Sequence, residues 1–141
     1  MSYELNSQEK RILREIARFY GCHIRFRDQP GGVFGGKYIE IGYKAPSLRS
    51  IVSVFCHELA HFVNWKTAKY PIYHNPRHFG NLPAHFTHYR SLVNYALKAE
   101  LYTEDVGAEL CKEWFPTIKY ERTYFNNKEC RAFLEGYYAR G

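Results

Sequence analysis

The sequence predicts an α+β fold: one helix, a short β-sheet, two longer helices and a brief final helix, in that order. Three observations carry this. Apolar residues recur at helical spacing over about 7 to 20, 48 to 66 and 87 to 114. Between the first two of these stretches, two short segments alternate apolar and polar residues, as half-buried strands do. Glycine- and proline-rich segments separate the periodic stretches. At 141 residues, with 45% hydrophobic and 18% aromatic content, residues 1 to 141 make a single domain able to bury a core.

The first helix opens at Asn6, a good N-cap, with Glu9 at the N3 position to close a capping box; Gly21 ends it. Ile12, Leu13, Ile16, Ala17 and Tyr20 fall on its apolar face. "CHIRFR" then sets Cys22, Ile24 and Phe26 on one side, opposite His23, Arg25 and Arg27. "DQPGG" supplies a turn, and "KYIEIGY" alternates again, so residues 37 to 43 read as a second strand paired with the first in a hairpin. Ser47 caps the next helix, 48 to 66, whose apolar residues are Leu48, Ile51, Val54, Phe55, Leu59 and Phe62. Three prolines and a glycine between 67 and 86 predict an irregular loop of functional length. A long helix over 87 to 114 ends before Pro116, and a turn at Asn126-Asn127 precedes the last helix.

Composition narrows the function classes. No apolar run reaches the roughly 20 residues of a membrane helix, and the charged N-terminus lacks a signal-peptide core, so the expected location is cytoplasmic. Cys22, Cys56, Cys111 and Cys130 form no C-x-x-C pair and read as buried free thiols. A net charge of +6 invites an acidic partner such as nucleic acid, but the basic residues are scattered and that partner is not favoured. "GGVFGG" has neither the lysine nor the following helix of a phosphate loop. Trp65 and Trp114 read as packing anchors; Tyr120, Tyr124 and Phe125 also read as packing residues, with a tyrosine beside the metal as the alternative.

The stretch "SVFCHELAHFVNW" carries the chemistry. His57 and His61, at i and i+4, lie one above the other on the same helix face and can hold one ion without bending the backbone. Glu58, one residue on, is rotated away from that pair. It can reach a water on the metal without occupying a ligand position, and so serve as general base. Two histidines need a third protein ligand, and the long helix offers Glu100 and Glu104, four apart on one face. Ala96, Gly107 and Ala108 beside them would let that helix approach the motif helix closely.

H-E-L-A-H followed some forty residues later by E-x-x-x-E resembles the gluzincin metallopeptidases. The resemblance implies a small zincin-type domain, with a short β-sheet packed against the H-E-x-x-H helix and a second ligand-bearing helix. It implies one Zn2+ per chain, with His57, His61 and Glu100 as ligands and Glu58 as catalytic base. Glu104, where that group often has Asp, would orient a ligating histidine from behind. The stretch also resembles the small ImmA/IrrE-type peptidases of phages and mobile elements, whose register would make Glu104 the ligand instead. "GGKYIEIGY" is similar to the edge strand of such enzymes, which implies a protein or peptide substrate laid in extended form along residues 37 to 43.

His74, His78, His85 and His88 crowd the loop after the motif helix. One of them could replace glutamate as ligand, as in DNA-associated SprT-like proteases, which "HNPRHFGNLPAHF" resembles loosely. His85 and His88 are the candidates for binding an oxyanion or substrate opposite the metal. The activity expected is zinc-dependent peptide-bond hydrolysis. The alternatives are a DNA-associated SprT-like protease and a nucleic-acid-binding regulator without hydrolytic activity, in which zinc is structural.

Overall fold

The computed structural model describes residues 2–67, 89–123 and 127–138. The chain is a mixed α+β fold. Its elements are β1 (Tyr3–Glu4), α1 (Ser7–Phe19), β2 (His23–Arg27), β3 (Gly32–Phe34), β4 (Tyr38–Gly42), β5 (Lys44–Ala45), α2 (Leu48–Lys66), α3 (Tyr89–Trp114) and α4 (Asn127–Tyr138).

Local chemistry sets the helix ends. The Asn6 side chain accepts from the Glu9 N–H at 2.8 Å, while the Glu9 carboxylate accepts from the Asn6 N–H at 2.9 Å, so the capping box forms as read. Ser47 caps α2 through the Ser50 N–H. Leu13, Ile16 and Ala17 bury the inner face of α1, Tyr20 is half-buried, and Ile12 is turned outward. Trp114 donates from Nε1 to the Tyr20 hydroxyl at 2.7 Å, and Trp65 packs on Phe34 and Phe62, so both tryptophans anchor packing. No helix among the described residues is long and apolar enough to cross a membrane.

The sheet departs from the expected hairpin. Its order is β2-β4-β3, with β2 parallel to β4 (Ile24 opposite Ile39, Phe26 opposite Ile41) and β3 antiparallel to β4 (Phe34 opposite Ile39). "DQPGG" carries the chain across to the far side, so the antiparallel partner of β4 is β3, hidden in "GGVFGG". Residues 37 to 43 are therefore no edge: β4 is hydrogen-bonded on both sides, leaving no row of main-chain groups for a further strand. A separate two-stranded pair joins β1 to β5.

Phe34, Ile39 and Ile41 share one sheet face and are buried in a common core with Ile51, Phe55, Leu59 and Phe62 of α2. A second apolar cluster joins Val93, Ala96, Leu97 and Ala99 of α3 to Cys130 and Leu134 of α4. The four cysteines are free and buried, as their spacing suggested.

Candidate metal centre

Both expected helices bring their polar residues to one place. On α2, His57, Glu58 and His61 are buried among Phe55, Cys56, Leu59, Ala60 and Phe62; on α3, Glu100 and Glu104 are buried opposite them. The helices approach closely where α3 carries Gly107: a Cβ there would come within 3.4 Å of the Cys56 carbonyl oxygen and 2.9 Å of the Tyr120 hydroxyl. Just beyond the site, Asn64 donates to the Thr103 hydroxyl at 3.0 Å, tying α2 to α3.

The two acids divide the histidines between them. Glu100 meets both imidazoles at Nε2, with Oε2 3.4 Å from His57 and Oε1 3.3 Å from His61. Glu104 sits on the other side of His57, with Oε1 2.8 Å from Nδ1. One ligand atom from each of His57, His61 and Glu100 lies within 4.8 Å of the others. Tetrahedral ligands held at about 2.0–2.2 Å from zinc stand roughly 3.3–3.6 Å apart; the two imidazole-to-carboxylate separations fall in that range, each to a different Glu100 oxygen, and the donor set suits that ion in type.

Electrostatics follow from burial and charge together. Burial alone would lower the His57 pKa, but hydrogen bonds to Glu100 and Glu104 outweigh it and hold the imidazole well above its usual range. Burial would likewise raise Glu100, yet His61 and His57 pull its carboxyl well below the usual range. Glu58 moves the other way: burial pushes its pKa up, and the two histidines only partly offset this. It belongs to the cluster but stands outside the ligand triangle.

Further residues that sequence reading did not assign to the site surround it. Gly32 lets β3 pass directly over Glu58, since a Cβ there would fall 2.7 Å from Glu58 Cγ and 2.7 Å from Val54 Cγ1. Phe34 stacks on the His61 ring at 6.0 Å with planes 12° apart. The signal for both was the Val33-Phe34 pair inside "GGVFGG", obscured by its glycines. Behind His57, the Tyr120 hydroxyl donates to Glu104 Oε1 at 2.6 Å and the Thr123 N–H donates to Oε2 at 2.8 Å. Tyr120 is thus more than a packing residue; burial, then Glu104, pushes its pKa up, so it keeps the proton it donates. His74, His78, His85 and His88, the loop from 68 to 86, Tyr124, Phe125 and Asn126 lie outside the described residues.

No family model, curated protein or solved structure matches this chain.

Proposed function

We propose that the chain is a zinc-dependent peptidase of zincin type, with a gluzincin-like ligand set. The observation that carries this reading is one buried triad: two histidines one turn apart, completed by a glutamate from a second helix, with one ligand atom of each within 4.8 Å of the others. Taking such charges out of water costs several kcal/mol unless something compensates, and a cation does so directly.

His57, His61 and Glu100 would hold the ion, and zinc bound there supplies Lewis acidity that polarises a carbonyl and acidifies a water. Glu58 acts as general base and then general acid: its burial raises the carboxyl toward the range where proton uptake and return are both accessible. Glu104 accepts from His57 Nδ1–H, which leaves Nε2 for the ion. Substrate enters as an extended segment, but along β3 rather than residues 37 to 43. β3 runs over Glu58, and among the described residues no strand pairs with its outer side. Four free thiols suit a reducing compartment, which supports a cytoplasmic location.

The test is new-terminus mapping by mass spectrometry on a peptide mixture incubated with zinc-loaded chain. Wild type is expected to cut, and Glu58→Gln to cut about 10²–10⁴-fold more slowly with its zinc retained. Equal cleavage by Glu58→Gln, or none by the zinc-loaded wild type, would reject the peptidase reading; the latter would leave zinc a structural role.

A further inference from the structure

After α3 the chain turns back across both site helices. Residues 119 to 123 are fastened to the first turns of α2: Arg49 donates from Nε to the Lys119 carbonyl at 2.8 Å, and the Glu121 N–H donates to the Ser53 hydroxyl at 2.8 Å. Ser50 adds a bond to the Glu121 carboxylate at 3.3 Å. Two groups then reach across to α3, where the Tyr120 hydroxyl and the Thr123 N–H take the two oxygens of Glu104. Arg122 adds a guanidinium 3.7 Å from Oε2.

We propose that residues 119–123 form a strap that fixes which nitrogen of His57 faces the metal, with Tyr120 as its positioning residue. This rests on the metal reading above. A neutral imidazole has two tautomers, and ligation through Nε2 requires the proton on Nδ1 with an acceptor held in place for it. The Glu104 side chain has several free torsions and does not define that acceptor alone. The strap does: Tyr120 and His57 share Oε1, Thr123 holds Oε2, and the carboxylate plane is set from both sides. Residues 119 and 121 are held independently of Glu104, because Arg49 and Ser53 tie them to α2. Gly107 leaves room for the Tyr120 hydroxyl, which a Cβ at that position would meet at 2.9 Å.

The test compares zinc affinity, by chelator competition, and the visible spectrum of the cobalt(II)-substituted chain in wild type, Tyr120→Phe and Gly107→Ala. Tyr120→Phe keeps the buried ring and removes only the donor; Gly107→Ala keeps every hydrogen-bonding group and displaces the hydroxyl. Each is expected to weaken zinc binding about 10–100-fold and to alter the cobalt bands, with far-UV circular dichroism unchanged. Should Tyr120→Phe fail to fold, Gly107→Ala decides. A strap that only stabilises the fold would lower the melting temperature of the metal-free chain while leaving affinity and spectrum as in wild type, and that result overturns the proposal. A wild type that takes up neither zinc nor cobalt removes the metal reading itself, and the strap's role with it, without reference to either variant.

Discussion

Along α3, Val93, Ala96 and Ala99 share a buried cluster with Cys130 and Leu134 of α4, whereas within the next turn Glu100, Thr103 and Glu104 are buried against His57, His61 and Asn64 of α2. The depth is the same and the energetics are opposite. The first stretch gains about 25 cal/mol for each Å² of apolar surface removed from water. The second must desolvate two carboxyl groups and two imidazoles, a cost that mutual pairing repays only in part. A well-packed apolar interface would hold α2 to α3 at least as firmly. The contrast teaches that the apolar cluster serves stability, and that the polar one needs a compensating partner, the role the proposed ion would fill.

Substitutions on the two sides of this contrast should therefore fail in different ways. The largest effect is expected from Glu100→Ala, which removes the side chain joining both Nε2 atoms and should abolish stoichiometric zinc uptake in equilibrium dialysis. Next comes Leu134→Ala, where truncating a fully buried side chain should cost about 2–5 kcal/mol in urea unfolding. Zinc affinity should stay within twofold of wild type. Equal loss of stability from both variants, with no difference in zinc binding, would erase the distinction.

A smaller effect sharpens the electrostatic side. Because Glu100 and Glu104 raise the His57 pKa despite its burial, the metal-free chain holds a proton on that imidazole more tightly than a free histidine does. An ion at Nε2 would have to displace it, so affinity should fall as pH falls, with a positive number of protons released per ion. Calorimetry in buffers of different ionisation enthalpy measures that number, and a value near zero would contradict the His57 assignment. The sign for stability follows the same group. Its contribution to the metal-free fold is fully present below the ordinary imidazole value of 6.5 and is lost as pH rises through the raised folded value.

Much of the site could be read in the sequence because helical periodicity is a strong local signal. Ser47 placed the start of α2, so His57, Glu58 and His61 fell on a defined face; Glu100 and Glu104, four apart, pointed to a second helix with a buried acidic face. Which acid meets which imidazole nitrogen was not legible, since the two registers differ only in the rotation and height of α3 against α2. The sheet was harder. Alternation in "CHIRFR" and "KYIEIGY" says that both are strands, but two alternating strands do not declare their partners. The three residues of β3 were hidden by glycines that look like a turn, one of which, Gly32, lets the strand pass over Glu58. Which tyrosine stands beside the site, and the part of Thr123, were beyond reach for another reason: a strap without regular structure has no period, and its anchors on α2 join residues far apart in the chain.

The most direct measurement is anomalous diffraction at the zinc edge from crystals of untagged protein grown with zinc. One peak is expected about 2.0–2.2 Å from His57 Nε2, His61 Nε2 and a Glu100 oxygen, with Glu104 still on Nδ1. A peak ligated by Glu104, or none at these residues at saturating zinc, would contradict the account.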